Sequence, residues 1–166
     1  MTKYNNKHGF TLVEILVVVA IIGLLASFSV VALSQGLKKG RDSKRKSDIN
    51  QIGKFLGLFC YLPDAGAGEY DLADLFEEIK IKNPQITTFI KNAPKDPLLG
   101  IDGRSYYIYE ITDDGNKCVL YANLENNGEQ ITLPNITSPT PGGGSGVYEA
   151  DATGWNGTAK YFQFSN

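Results

Sequence analysis

The chain has 166 residues, of which 42% are hydrophobic and 11% aromatic. This length suits one membrane segment and one modest globular domain with a small core, and it leaves little room for a second domain. The net charge is only −2, but residues 10–46 carry six bases against two acids, whereas residues 47–166 carry eight bases against sixteen acids. The sequence therefore predicts a basic stem followed by an acidic head.

The first element is an apolar segment near the N-terminus. Residues 15–33 form a run of nineteen residues without a charge, and as a helix this run spans about 28 Å, close to the hydrocarbon thickness of a bilayer. A cleaved secretory signal peptide is the competing interpretation. The apolar core of such a peptide is usually about 7 to 15 residues long, however, and here Glu14 lies close to the start of the run. We predict a membrane-spanning helix over residues 10–33.

Glu14 is the residue that a plain membrane anchor does not explain. A carboxylate in an apolar helix costs about 2.5 to 3.5 kcal/mol at the bilayer centre, although less near the interface. Glu14 therefore needs a partner, because an unpaired charge in a low-dielectric setting is far more costly than a paired one. The alternative is a carboxylate at the membrane interface that the helix dipole stabilises.

Residues 7–14 read Lys-His-Gly-Phe-Thr-Leu-Val-Glu, and this segment resembles the N-terminal signal of type IV prepilins and type II secretion pseudopilins. In that family a dedicated membrane peptidase cuts after the glycine and methylates the new N-terminus. The resemblance implies that residues 1–9 are a leader, that cleavage falls between Gly9 and Phe10, and that Phe10 becomes the methylated first residue. It also implies that Glu14 is a buried carboxylate, whose pairing with the Phe10 amine of a neighbouring subunit would fix the register of a filament.

The same resemblance implies a location and a set of partners. The N-terminus of the precursor would face the cytoplasm, the head would lie outside, and the processed subunit would enter a periplasmic or cell-surface filament of identical copies. Its partners would be the prepilin peptidase and the inner-membrane assembly machinery. The positive-inside rule points the other way, since it would place the dense basic cluster of residues 38–46 in the cytoplasm. We give the leader motif more weight because it is more specific than a count of charges.

The helix is expected to continue beyond the membrane segment. No proline occurs between residues 10 and 62, and apolar residues keep a helical spacing over residues 49–59. We therefore predict an amphipathic continuation over residues 34–60, with the helix ending near Phe59. Many bacterial pilins carry a proline where this chain has Val31. Three glycines are the weak points of this stem instead: Gly23, Gly36 and Gly40.

The basic run of residues 38–46 has three interpretations. It is a solvated collar on the helix, a surface that meets lipid headgroups or the acidic heads of neighbouring subunits, or, as the least favoured choice, a nucleic-acid site. The opposite charges of stem and head lead to the hypothesis that stem bases meet head carboxylates of adjacent subunits.

The head is predicted to mix helix and strand, so that the chain has an α+β, pilin-like fold: a long N-terminal helix packed on a small antiparallel sheet. Asp71 is expected to cap a short amphipathic helix, and a further turn is expected over residues 83–90. Residues 62–68 and 94–103 are loops by their Gly and Pro content. The segment Pro-Lys-Asp-Pro at residues 94–97 resembles one in the major pseudopilin of type II secretion.

Four strands are predicted in this head, which covers residues 61–166. The first two form a hairpin, because they are rich in Tyr, Ile and Val and flank the turn sequence Asp-Asp-Gly-Asn. The predicted strands are residues 104–112, 117–125, 130–133 and 160–164.

Calcium is the one cofactor that the resemblance raises, because the major pseudopilins of secretion systems hold it in a C-terminal loop. The acidic turn over residues 113–116 lacks the register of ligands that such a site needs, and we interpret it as a plain turn. Residues 138–146 predict a flexible Gly-rich loop with no phosphate-binding motif around it.

Cys60 and Cys118 match no metal-binding spacing. If the head lies outside the cytoplasm, they would form a disulfide that closes a loop of about 58 residues, worth roughly 4 kcal/mol in the chain-entropy model. The alternative is two separate small residues in the core.

Catalysis is not expected of this chain. Its single histidine, His8, lies in the predicted leader, so a processed chain cannot run Ser–His or Cys–His chemistry. Two classes of function remain: a filament subunit, whether of a type IV pilus, a secretion pseudopilus or a DNA-uptake pilus, and a membrane-anchored extracytoplasmic binding domain. Loss of residues 1–9 would separate these two classes.

Overall fold

The structure is a computed structural model, and it describes residues 10–56, 60–85, 92–101 and 103–166, without the side chains of residues 29–31. Three predictions lie outside the described residues: the leader of residues 1–9, the helix end at Phe59 and the part of the expected turn over residues 86–90. The chain divides into two compact units, Met1–Leu37 and Lys38–Asn166.

The described residues form two α-helices and five strands. In chain order these are α1 (Leu12–Leu56), β1 (Gly68–Asp71), α2 (Leu72–Lys82), β2 (Ile108–Ile111), β3 (Cys118–Asn123), β4 (Gly146–Glu149) and β5 (Lys160–Ser165). The α+β, pilin-like fold predicted from the sequence is confirmed.

The first unit consists of the N-terminal part of α1. This helix is long and apolar enough to cross a bilayer, and none of its apolar stretch is buried within the chain. It continues without a break through Gly23, Gly36 and Gly40, although each glycine costs a helix about 1 kcal/mol relative to alanine. The continuous helix predicted from the sequence is confirmed as far as Leu56.

The second unit is built around one antiparallel sheet with the strand order β1-β2-β3-β5-β4. The predicted hairpin is confirmed as β2 and β3, which pair from Ile108 opposite Tyr121 to Ile111 opposite Cys118. The last predicted strand is confirmed as β5, and it pairs with both β3 and β4. β1 and β4 therefore form the two edges of the sheet.

The core of this unit lies between one face of the sheet and the two helices. The second half of α1 contributes Ile49, Ile52 and Leu56, each at most 5% exposed. The predicted helix after Asp71 is confirmed as α2, since the Asp71 side chain accepts a hydrogen bond from the Ala73 N–H at 2.9 Å. Four apolar side chains of α2 enter the same core: Leu72, Leu75, Phe76 and Ile79.

The helix packs tightly against the sheet at Gly53. A Cβ atom at this position would overlap the ring of Phe164 on β5. Only glycine lets the backbone come this near to an aromatic ring.

The prediction of a strand over residues 130–133 is wrong. Here the Thr132 and Leu133 N–H groups both donate to the Val147 carbonyl, and the Val147 N–H donates to the Thr132 hydroxyl. A side chain thus takes the place of a backbone carbonyl, so no ladder forms. Composition does not indicate β1 or β4, because each begins at a glycine in a segment that the sequence predicts as a loop.

The basic run is held to the head of its own chain. The guanidinium of Arg45 is fully buried, and it donates to Asp96 at 2.7 and 2.9 Å and to Asp42 at 2.7 Å. It also lies 2.6 Å from Glu125. Three carboxylates from three parts of the chain therefore surround one arginine, and we call this group the Arg45 cluster.

Neighbouring bases of the run extend the same pattern. Arg41 makes a bidentate salt bridge with Glu125, and Lys46 makes a salt bridge with Glu129. None of the three interpretations drawn from the sequence anticipated that these bases bind carboxylates of the same chain.

Hydrogen bonds within the Arg45 cluster set its charge states. Burial alone would raise the pKa of Asp96, but bonds from Arg45, the Leu99 N–H and Asn156 outweigh it, and the pKa of Asp96 is lowered. Hydrogen bonds from Arg41 lower the pKa of Glu125. Both carboxylates are therefore held ionised against the bound arginine.

The Arg45 cluster makes the first testable prediction. Replacing Arg45→Met leaves buried carboxylates without their counter-ion, and we expect the free energy of unfolding to fall by about 3 to 5 kcal/mol. The measurement is urea unfolding of the full chain in detergent micelles, followed by the signal of the head.

Lys44→Met is the matched control for this substitution. Lys44 lies one position away and pairs with Asp48 at 3.0 Å, but its side chain is 59% exposed, so its loss should cost about 1 kcal/mol or less. Equal losses for the two variants would show that the Arg45 cluster does not hold the helix to the head.

Candidate processing and assembly site

The N-terminal end of α1 carries the residues that the sequence singles out for processing and assembly. Phe10 precedes the helix and is 84% exposed, next to the position where cleavage is expected. Gly9, the other side of that junction, lies outside the described residues.

Glu14 forms a capping box with Thr11 at this helix end. The Thr11 N–H and the Thr11 hydroxyl both donate to Oε2 of Glu14, at 2.7 and 2.8 Å. In return, the Glu14 N–H donates to the Thr11 hydroxyl at 3.3 Å. The two residues thus satisfy backbone groups that the first turn of a helix leaves without partners.

This role of Glu14 was not predicted, although the sequence carries its signal. Thr11 and Glu14 have the Thr-x-x-Glu spacing of a capping box, directly before an apolar run. A subunit contact and the helix dipole are the two reasons for this carboxylate that were predicted from the sequence. The capping box adds a local reason, because it fixes where the apolar helix begins.

The two cysteines lie together at the opposite end of α1. The Sγ atoms of Cys60 and Cys118 are bonded, with the Cα atoms 5.7 Å apart. This disulfide joins the segment after the helix to the first residue of β3. It therefore adds a covalent link to the core contacts between the helix and the sheet.

The acidic turn between β2 and β3 is held by its own hydrogen bonds. The carboxylate of Asp114 accepts from the Thr112 hydroxyl at 2.6 Å and from the Asn116 N–H and side-chain amide at 3.1 and 3.0 Å. These bonds lower the pKa of Asp114 to about 2. The carboxylate acts as the cap of a turn.

The segment of residues 130–148, which we call the C-terminal loop, does not fit the calcium site that the family resemblance suggests. Residues 130–148 contain no Asp or Glu, whereas calcium takes about six to eight oxygen ligands, with carboxylates prominent among them. The Gln163 side chain instead accepts from the Thr140 N–H at 3.1 Å and donates to the Gly144 carbonyl at 2.9 Å. No group of three or more His, Cys, Asp and Glu side chains is placed to hold a metal in the described part of the chain.

Comparison with known proteins gives one matching family model and two similar secretion proteins. Residues 4–30 match the prokaryotic N-terminal methylation motif. The chain is 33% identical to the type II secretion system core protein G of Vibrio cholerae serotype O1 over 101 residues, which cover 58% of this chain and 69% of that protein. It is 30% identical to the core protein G of Escherichia coli K12 over 146 residues, or 83% and 94% of the two chains. No solved structure gives a significant match.

The second prediction concerns the C-terminal loop. Gln163→Leu removes both side-chain bonds to the loop and leaves their backbone partners unsatisfied, so we expect the free energy of unfolding to fall by about 2 kcal/mol. Calcium or the chelator EGTA should leave the unfolding midpoint of the unmodified chain unchanged. Thermal unfolding with each additive measures both effects.

Gln130→Leu is the control for the loop, since Gln130 is exposed. It should leave stability almost unchanged. A midpoint that rises with calcium would show that an ion, rather than Gln163, organises the loop.

Proposed function

The chain belongs to the family of type II secretion system core protein G, the pseudopilins, which are structural subunits, and we propose that it is cleaved between Gly9 and Phe10 and assembled through its N-terminal helix. The matched methylation motif, which spans the proposed junction, carries this proposal. Residues 1–9 act as the leader, residues 10–33 cross the membrane and later form the filament core, and residues 34–60 attach the helix to the head of residues 61–166.

The chemistry of the junction supports cleavage at this place. A peptidase cleft must admit extended backbone, and glycine offers no side chain to obstruct it. Phe10 lies outside the helix and is exposed, so the bond before it is not protected by helical hydrogen bonds. The new amine then lies one residue before the capping box.

The capping box and a subunit contact make compatible use of Glu14. Both hydrogen bonds from Thr11 fall on Oε2, and among the described residues no donor binds Oε1. Oε2 therefore holds the start of its own helix, while Oε1 accepts the Phe10 amine of a neighbouring subunit. This pairing offsets the cost of a charge in the apolar filament core.

The proposed location follows from the apolar helix and the disulfide. The precursor is anchored in the membrane by residues 10–33, with the leader in the cytoplasm and the head outside. The bond between Cys60 and Cys118 favours that orientation, because disulfides persist in oxidising compartments. The prepilin peptidase and the inner-membrane assembly machinery of a secretion system are the proposed partners, and the processed subunits form a filament of identical copies.

Processing at the proposed junction is the third prediction. In cells that contain a prepilin peptidase, mass spectrometry of the purified chain should find Phe10 as the first residue, with one added methyl group. Gly9→Val should block cleavage and accumulate the full precursor, because a side chain at this position obstructs the cleft. His8→Ala should still be cleaved. An intact Met1 in the unmodified chain, or an unmethylated Phe10, would contradict the proposal.

Assembly through the Glu14 charge is the fourth prediction. Glu14→Gln keeps a side chain that can complete the capping box but removes the charge. We expect it to be processed normally while the yield of sheared filaments falls more than about tenfold, because the Phe10 amine is left unpaired. Electron microscopy and immunoblotting of the sheared fraction measure the yield.

Thr11→Ala is the converse control, since it removes the hydroxyl of the capping box and keeps the charge. It should weaken the helix end by about 1 kcal/mol and still allow filaments to form. If Thr11→Ala abolishes filaments and Glu14→Gln does not, the capping box rather than the charge drives assembly.

A further inference from the structure

The sheet has a second face that does not pack against α1. Core residues such as Tyr109, Leu120 and Phe162 point to the helices, so the residues that alternate with them along each strand point to the other side. We call this side the outer face. Its central side chains are Glu69 on β1, Glu110 on β2, Tyr121 on β3, Tyr148 on β4 and Tyr161 on β5.

Two carboxylates lie side by side on the outer face. Glu69 stands directly opposite Glu110 in the register of β1 and β2, an arrangement of like charges that destabilises a sheet. Among the described residues no base pairs with either of them. Tyr121 donates its hydroxyl to Glu69 at 3.3 Å, which leaves most of the acceptor capacity of the pair unused.

Aromatic rings form a continuous group beside these carboxylates. The ring of Trp155 lies 6.4 Å from Tyr106, 6.5 Å from Tyr121 and 5.6 Å from Tyr161. Tyr148 stacks on Tyr161 with the ring centres 5.5 Å apart. The guanidinium of Arg104 lies 4.5 Å above the ring of Tyr106, so a cation already rests on one edge of this group.

Two polar atoms in the group are buried and have no partner in the described part of the chain: the Tyr148 hydroxyl and the Trp155 indole N–H. Tyr148 is 0% exposed. Burial raises its pKa, and so do the nearby Tyr121, Tyr161, Glu110 and Glu69, in decreasing order. The Tyr148 ring stacks on Tyr161, which lies 6.2 Å from Tyr121, the residue whose hydroxyl donates to Glu69. Buried polar groups without partners are uncommon in proteins and need an explanation.

The ring of Tyr106 is held in place by an unusual backbone conformation. Tyr106 has a φ of 61°, a conformation that is unfavourable for a residue other than glycine. The carboxylate of Asp71 holds it there by accepting the N–H groups of Ser105 and Tyr106 at 2.8 and 3.0 Å. The ring of Tyr106 is thereby fixed beside Trp155.

We propose that the outer face binds an arginine side chain of a partner polypeptide, between the pair Glu69 and Glu110 and the rings around Trp155. A guanidinium is planar, donates in two directions to carboxylates and stacks on aromatic rings. A hollow of 330 Å³ lies at the β1 edge of this face, lined by Glu69, Asp74, Arg104 and Ile108 among others.

The binding test does not depend on filament assembly, so its failure is distinguishable from failure of the proposed function. Trp155 is the only tryptophan, and its fluorescence therefore reports on this face alone. We would titrate the full chain in detergent micelles with the peptide acetyl-Gly-Arg-Gly-amide. The expected result is a saturable change in fluorescence that the uncharged citrulline peptide does not produce and that salt weakens.

Matched variants complete the test. Glu110→Gln should raise the Kd for the arginine peptide about tenfold, whereas Asp113→Asn, which changes the net charge equally on an exposed turn, should leave it unchanged. Glu69→Gln, at the exposed member of the acidic pair, serves as a second variant if Glu110→Gln unfolds, and it should also weaken binding. The proposal is overturned by no saturable response, by equal effects of the Glu110 and Asp113 variants, or by a lysine peptide that binds as tightly.

Discussion

The guanidinium of Arg45 is a buried charge, and its neutralisation ties together three parts of the chain. Asp42, Asp96 and Glu125 supply the opposite charges from α1, from a loop and from the segment after β3. Two of them accept further hydrogen bonds: Asp42 accepts two backbone N–H groups, and Asp96 accepts the N–H groups of Leu98 and Leu99. One buried cation thus fixes two loops to one helix.

The Arg45 cluster explains the opposite charges of stem and head by ion pairs within one chain. Read from the sequence, the bases of residues 38–46 and the excess of acids beyond them suggested contacts between subunits. In the folded chain Arg41, Arg45 and Lys46 meet carboxylates of their own head. In this pseudopilin the second half of the helix is therefore held to the head by ion pairs within the chain.

The sequence predicted the elements whose signal is local. The long apolar run, the Asp71 cap and the hairpin around residues 113–116 each follow from neighbouring residues, and all three are present. The leader motif was equally local, and it led to the family. The Thr11 and Glu14 capping box also has a local signal. It was not predicted, because the same residues belong to the more specific leader motif.

The remainder could not be read from the sequence because it depends on distant residues. Nothing near Arg45 shows that Asp96 will lie beside it, since 51 positions separate the two. The edge strands β1 and β4 have only four residues each, and pairing with a neighbouring strand, rather than composition, makes them strands. The acidic pair on the outer face arises in the same way, because Glu69 and Glu110 meet only through the register of β1 and β2.

Helical reconstruction of the sheared filaments by electron cryomicroscopy tests this account most directly. We expect each subunit to begin at Phe10, with its amine beside Glu14 of a neighbour, and we expect Arg45 to contact Asp96 and Glu125 of the same subunit. A filament in which Arg45 reaches carboxylates of an adjacent subunit, or in which Glu14 meets no amine, would contradict it.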